Sequence, residues 1–343
     1  MAVTGNTTKV PAGVHTEDPD AAIAWWTVGP GQGEFRSENI REPAADEAAV
    51  RTLWTGVSRG TEGLVARGEV PPSEHARMRA PFQAGDFPFP VKYGYLNVGT
   101  VESGPRSLQG RTVFALFPHQ SRFVVPADAL VAVPESVPPR RAVLAGAVET
   151  AVNVLWDAGA MVGDRVTVVG AGMIGGAIAR LARGIAGTEV TLVDVDAGKA
   201  AMAERLGVAF AAPEAAPPDA DVVIEASGSG AGLQLALRLA PDDGEVVVAS
   251  WFGSGAVPLE LGADFHSRRI TIRASQVGAV ATPRRARRTT RDRLTLALRL
   301  LEDPALDALM GGGSSWRQLP EVTAALAAGT AGGLCHTIDW SAA

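Results

Sequence analysis

Gly170, Gly172 and Gly175 stand at G-x-G-x-x-G spacing, where the apolar run RVTVV gives way to the helical pattern MIGGAIARLAR. The first glycine of such a set permits a tight turn. The second lets the backbone come close to a pyrophosphate, and the third lets the helix pack against the strand. The helix that follows presents unpaired N–H groups, beginning at Met173 and Ile174, and the positive end of its dipole. Asp194 ends the next apolar run, EVTLVD, 19 residues beyond Gly175. A carboxylate there can accept hydrogen bonds from both hydroxyls of an adenosine ribose and would repel a 2′-phosphate. The spacing therefore predicts a bound dinucleotide, NAD rather than NADP.

Such a site needs a strand before the glycines, a helix after them and a sheet around both. From about residue 154 the sequence provides that alternation: RVTVVG, a helix through Arg183, EVTLVD, a helix from GKAAMAERLG, DVVIEA, a helix across GLQLALRLA, then EVVVAS and ITIRA. Val/Ile runs between helices predict an α/β, doubly wound parallel sheet covered on both faces. Ahead of it, from residue 21 to about 133, the short runs AAIAWWTV, AAVRTLWTGV, VKYGYLNVGTVESG, GRTVFALF and SRFVVPA predict a compact β-rich, barrel-like domain. The insertion PPSEHARMRAPFQAGDFPFP (71–90) reads equally as a surface loop and as the wall of a pocket lying between Phe82, Phe89 and Trp251. Beyond ITIRA come two helical patterns, RDRLTLALRLL and LPEVTAALAAG, and a last short strand near CHTIDW.

The 343 residues carry 31 basic and 37 acidic side chains, a net charge of −6, which argues against nucleic acid or an anionic membrane as the main partner. The run PRRARRTTRDR (283–293) holds six arginines and reads as a solvated helix start, or more narrowly as a contact for an anionic substrate group. Cys335 is the single cysteine, so neither an intrachain disulfide nor a Cys-cluster zinc site can form. With no secretory apolar core and no membrane-length apolar run, a cytoplasmic location is expected.

The order of β-rich domain, dinucleotide sheet and C-terminal return, with GVSRGTE (56–62), VKYGYLNVG (91–99) and VVGAGMIG, resembles the medium-chain dehydrogenase/reductase superfamily over about residues 21–343. The resemblance implies a flexible tail (1–20), a GroES-like catalytic domain (21–153), a Rossmann NAD-binding domain (154–276) and a return to the catalytic domain (277–343). In zinc alcohol dehydrogenases the first segment supplies a cysteine ligand, the second reads Gly-His-Glu, and a third ligand precedes the dinucleotide fold. The matching positions here are Ser58, Gly94-Tyr95-Leu96 and Glu149. Two of three ligands are lost, and the lobe of four structural cysteines is absent between residues 110 and 126, so the implied site holds no zinc. A metal built instead from His119, Glu149 and His266 has no support in the spacing. Cofactor positions persist: Arg59 matches an arginine on the pyrophosphate, Asp194 the ribose acid, Lys199 a lysine near the adenosine, and Asn153 a residue beside the nicotinamide. GVSRGTE with the histidine missing looks most like the branch containing bacteriochlorophyllide hydroxyethyl dehydrogenases, which oxidise a secondary alcohol with NAD and also have a serine here.

Without a metal, a positioned base or hydrogen-bond donor must handle the alcohol proton. Tyr95 and Glu149 are expected to point at the vacated spot, Tyr95 donating to a carbonyl oxygen and Glu149 accepting a proton if burial raises its pKa. Ser58 and Thr61 would relay the proton to solvent. The alternative makes Tyr95 a filler of the metal cavity with its hydroxyl satisfied by Glu149, and moves proton transfer to His119 or His266. The expected reaction is the NAD-dependent interconversion of a small secondary alcohol and a ketone. A quinone or enoyl reductase, and a catalytically silent NAD-binding sensor, are the competing readings. A homodimer is expected, with EVVVAS and ITIRA near its interface.

Overall fold

Apolar residues crowd strand β1 (Ala21–Gly29), which pairs residue by residue with the antiparallel β2 (Gln32–Asn39), Trp25 opposite Phe35. The sequence does not announce β2: GQGEFRSEN is polar because all but Phe35 face outward or only half inward. The computed structural model describes residues 21–343, so the expected tail at 1–20 lies outside the described residues. Strand β3 (Glu47–Val57) leads into α1 (Arg59–Arg67), followed by β4 (Ala84–Gly85), β5 (Val91–Lys92), β6 (Asn97–Ser103), β7 (Thr112–Ala115), β8 (Arg122–Pro126) and β9 (Val131–Ala132). Four of these form a sheet in the order β2-β1-β5-β4.

The run expected as one strand, VKYGYLNVGTVESG, is two. Gly94 adopts φ +125, and a Cβ there would lie 3.1 Å from the backbone nitrogen of His119. Residues 93–96 thus leave the sheet between β5 and β6, which takes Tyr95 out of strand pairing.

Helices α2 (Pro139–Ala142) and α3 (Ala145–Ala158) lead to the second half: β10 (Arg165–Val169), α4 (Met173–Arg183), β11 (Glu189–Val193), α5 (Ala200–Leu206), β12 (Ala209–Ala211), β13 (Val222–Glu225), α6 (Gly230–Leu239), β14 (Glu245–Val248) and β15 (Thr271–Ala274). All strands of this sheet are parallel, in the order β12-β11-β10-β13-β14-β15. Alternate side chains serve its two faces: Val168, Leu192 and Ile224 enter one core with Ile178, and Val169, Val193 and Val223 enter another with Leu233. The strand order reverses between β10 and β13, the switch point above which doubly wound sheets bind ligands.

After α7 (Thr290–Leu300) the chain returns. Strand β16 (Met310–Ser315), helix α8 (Leu319–Ala327) and β17 (Cys335–Asp339) follow, and β17 pairs antiparallel with β3, giving a sheet of order β16-β17-β3-β6-β7-β9, with β8 pairing β3 as well. β16 reads MGGGSS and has no strand propensity of its own; β17 supplies its register. The architecture is α/β, a parallel Rossmann-type sheet beside separate sheets that are antiparallel but for the parallel pair β16 and β17. Among the described residues no helix is long and apolar enough to cross a membrane.

Candidate active site

The three glycines each meet a different constraint. Gly170 sits at φ +109, and a Cβ on it would lie 2.5 Å from the backbone nitrogen of Ser227. On Gly175 a Cβ would lie 1.8 Å from the carbonyl oxygen of Gly170, so the first turn of α4 rests directly on the turn after β10. Gly172 is open, its nearest neighbour being the Gly333 carbonyl oxygen at 3.5 Å. This last position is where a pyrophosphate can approach. No side chain of the described residues caps α4, and the Met173 N–H donates to the Gly333 carbonyl at 3.1 Å, with Ile174 next along the helix.

Asp194 is fixed across the same turn. Its Oδ2 accepts from the Ala171 N–H at 2.7 Å and its Oδ1 from the Asp196 N–H at 2.9 Å. Both cations expected at the cofactor converge nearby: a Cβ built on Gly333 would lie 3.3 Å from Arg59 Nη1 and 3.5 Å from Lys199 Nζ. Two cations, a helix N-terminus and an open glycine at one place fit the pyrophosphate of a dinucleotide. Glu225, a residue the sequence reading passed over, braces the neighbouring turn after β13; its Oε1 accepts from the Ser227 and Gly228 N–H groups and the Ser227 hydroxyl. Its only sequence signal is an acid closing an apolar strand.

Ser58 and Thr61 at the start of α1, on either side of Arg59, stand beside the Tyr95 hydroxyl as hydrogen-bonding neighbours. Burial, followed by the charge of Glu62, outweighs them and pushes the Tyr95 phenol up to about 12. At neutral pH Tyr95 is a donor and not a base. Its ring meets that of Tyr93 edge-on at 6.1 Å and packs, with Trp251, on a cluster that includes Phe87 and Val91. Of the three residues expected to frame a pocket, only Trp251 joins Tyr95. Phe82, 40% exposed, packs on Phe117, and Phe89 covers Gly68.

Glu62 was also missed, although it closes the GVSRGTE motif. It reaches back along α1 to accept the Ser58 N–H through Oε1 at 2.8 Å, and Oε2 lies 2.8 Å from His119 Nε2. His119 Nδ1 lies 2.7 Å from Thr55 Oγ1, which accepts the Trp340 indole N–H at 2.9 Å. With its proton on Nε2, the imidazole donates to the carboxylate and accepts from the threonine hydroxyl. His119 is a satisfied, buried group. His266 lies exposed just after the turn Leu261–Phe265.

The structure does not join Glu149 to Tyr95. Glu149, on α3 and 4% exposed, accepts instead from the Nε of Arg293 at 3.1 Å. Burial raises its carboxyl pKa, and the guanidinium partly offsets that. Arg293 also donates to Asn153 Oδ1 and to the carbonyls of Val277 and Ala279, and Asn153 Oδ1 accepts the Ala281 N–H at 2.9 Å. The arginine run does begin a helix, with a capping box between Thr289 and Asp292, and Arg284, Arg287 and Arg288 are exposed. Arg293 breaks the expected pattern by turning inward. It shares the buried face of α7 with Leu294, Ala297 and Leu298, a spacing the sequence did display.

Ser58, Tyr95 and Glu149 do not fit a catalytic zinc. The phenol is held protonated by its surroundings and the carboxylate already serves a guanidinium, whereas zinc takes thiolate, imidazole or free carboxylate donors. Among the described residues no group of three or more His, Cys, Asp or Glu side chains is placed to hold a metal ion.

Residues 172–294 match the family model described as zinc-binding dehydrogenase. Solved structures match far more of the chain. A protein described as a zinc-binding dehydrogenase from Sinorhizobium meliloti 1021, bound to NADP, is 20% identical with a TM-score of 0.73, covering 93% of this chain and 99% of that one. A short chain alcohol dehydrogenase from E. coli CFT073, complexed with NADH, is 16% identical with a TM-score of 0.73, covering 93% and 98%. L-idonate 5-dehydrogenase from Escherichia coli K-12 is 14% identical with a TM-score of 0.74, covering 93% and 98%. No curated protein matches the sequence. The chain has the fold of the medium-chain dehydrogenase/reductase superfamily, a GroES-like β domain joined to a Rossmann domain.

Proposed function

We propose that the chain is an NAD-dependent oxidoreductase that interconverts a secondary alcohol and a ketone with no metal at its reaction centre. One observation carries this reading: a protonated Tyr95 is backed by Ser58 and Thr61, and Arg59 between those two reaches Gly333, whose carbonyl accepts from Met173 at the glycine turn. When bound, the nicotinamide supplies or accepts the hydride. The turn of Gly170, Gly172 and Gly175 and the Ile174 N–H hold the pyrophosphate, with Arg59 and Lys199 neutralising its charge, and the Met173 N–H joins them only by giving up the Gly333 carbonyl. Tyr95 donates to the substrate oxygen. A phenol near 12 is a stronger acid than an alcohol, whose pKa lies close to the roughly 15.7 of water, so proton transfer to the nascent alkoxide runs downhill. Ser58 and Thr61 hold the phenol in place and return its proton. Steady oxidation of NADH by a ketone from a broad panel supports the assignment; tight NADH binding with no turnover makes the chain a nucleotide sensor instead.

The fold accommodates both NADP and NADH, as two of the similar structures show for themselves. Preference for NAD here rests on Asp194, whose carboxylate would face a 2′-phosphate with like charge. NADH should bind much more tightly than NADPH, and Asp194→Ser should narrow or reverse the difference. Equal affinities of the unmodified protein in a fluorescence titration would count against this role for Asp194.

Zinc independence has its own check. Elemental analysis of the purified protein should find no stoichiometric zinc, and one zinc per chain, removable only with loss of activity, would overturn it. The edge of the parallel sheet bears on assembly. Among the described residues β15 pairs only with β14, and association of two copies along that edge would cover it. Light scattering at micromolar concentration should give the mass of a homodimer; a monomer refutes this.

A further inference from the structure

Arg293 uses its guanidinium more fully than packing requires. Helices α3 and α7 already meet through an apolar core that includes Val148, Ala151, Leu294, Ala297 and Leu298. Apolar residues at both 293 and 149 would serve that contact as well, because a buried ion pair replaced as a whole by apolar residues often costs no stability. What the charge adds is a grip on residues 275–281. Nε and Nη2 lie 3.1 Å from Glu149 Oε1; Nη1 holds Asn153 Oδ1 and, at 3.0 Å, the Ala279 carbonyl; Nη2 holds the Val277 carbonyl. The loop is tied to α3 further by the Ala281 N–H on Asn153 Oδ1, by Asn153 Nδ2 donating to the Ser275 hydroxyl at 3.4 Å, and by that hydroxyl donating to Asp157 at 2.6 Å.

That loop leaves the carboxyl end of β15. Asp194 at the end of β11 marks the adenosine end of the dinucleotide site, and the glycine turn above β10 marks its centre. Continuing in the same direction across the sheet, the order β10-β13-β14-β15 sets the nicotinamide end above the last strands. We infer that Arg293 is a positioning residue: anchored on Glu149 and Asn153, it fixes residues 275–281 as one wall of the nicotinamide subsite. Glu149 then serves the reaction as the seat of this clamp and not as a base. Lysine cannot replace Arg293, since a point charge lacks the planar fork that reaches two side chains and two carbonyls together. The inference rests on the proposed dinucleotide reading.

Its test compares NADH with ADP-ribose, which keeps the adenosine and pyrophosphate and lacks the nicotinamide. Arg293→Met leaves a buried carboxylate unpaired and is at risk of misfolding, so Arg293→Met/Glu149→Leu, which removes both charges, is measured beside it, with Arg293→Lys as the conservative change. In each variant that melts as one cooperative unit, NADH affinity should fall by roughly tenfold or more, the scale of lost hydrogen bonds to a charged group. The fluorescence gain of NADH on binding should shrink, and ADP-ribose affinity should stay as in the unmodified protein. A folded double variant with unchanged NADH affinity and fluorescence overturns the inference, as does a parallel loss of ADP-ribose. If the unmodified protein binds neither ligand, the dinucleotide reading itself fails.

Discussion

Tyr95→Phe should lower turnover by ~10²–10⁴-fold, the range for a positioned acid or base, and leave NADH affinity where it was. The substitution keeps the ring that packs against Tyr93 and the cluster around it and removes only the hydroxyl. Cofactor affinity is insulated because the glycine turn, Asp194, Arg59 and Lys199 lie on other segments. The pH profile adds a second signature. A phenol raised to about 12 is protonated, and so able to donate, throughout the neutral and mildly alkaline range. Ketone reduction should therefore show no loss assignable to Tyr95 until the pH nears 12, whereas an unperturbed tyrosine would begin to fail near pH 10. Turnover of Tyr95→Phe at the unmodified rate would make the ring a space-filler.

Gly175→Ala should abolish dinucleotide binding. A methyl group cannot exist 1.8 Å from the Gly170 carbonyl oxygen, so the start of α4 must lift off the turn, and the N–H groups meant for the pyrophosphate move with it. The overpacking should destabilise the protein by about 1–3 kcal/mol and weaken NADH by more than ~100-fold. Gly172→Ala is the companion measurement. Its methyl group meets nothing closer than 3.5 Å, so the melting temperature should hold while NADH affinity drops, because the methyl occupies the open approach. Near-normal NADH affinity in Gly175→Ala would show that the cofactor does not rest on this turn.

The parallel sheet was legible because each strand from β10 to β15, apart from the three-residue β12, carries its own apolar run and each helix its own stripe. Glycine spacing and Asp194 were legible for the same local reason. What stayed hidden depends on distant partners. Polar β2 is a strand only because β1 lies beside it, and β16, with three glycines in six residues, only because β17 does. At the reaction centre the types were legible and the pairings were not. Tyr95, Ser58 and Thr61 come together, yet Glu149 turns to Arg293, 144 positions away, and Glu62 to His119, 57 positions away. Charge partners across such separations leave no periodic trace in a single sequence. Arg293 was readable by its helical face, but six arginines within eleven residues masked that phase with charge.

The pairing of β17 with β3 also sets a timetable for synthesis. His336 lies opposite Val57, and 278 residues must be made between them. At about 5–20 residues per second, the edge of β3 waits on the order of 15–55 s on the ribosome for its neighbour. The Rossmann half has no such wait, since its strands run consecutively from Arg165 to Ala274. The half encoded second can finish first, while the half encoded first remains a template with an open strand edge, a magnet for mispairing and a target for proteases. That unguarded edge ends at Val57, one residue before Ser58, so the nascent chain is most vulnerable beside the proposed reaction centre.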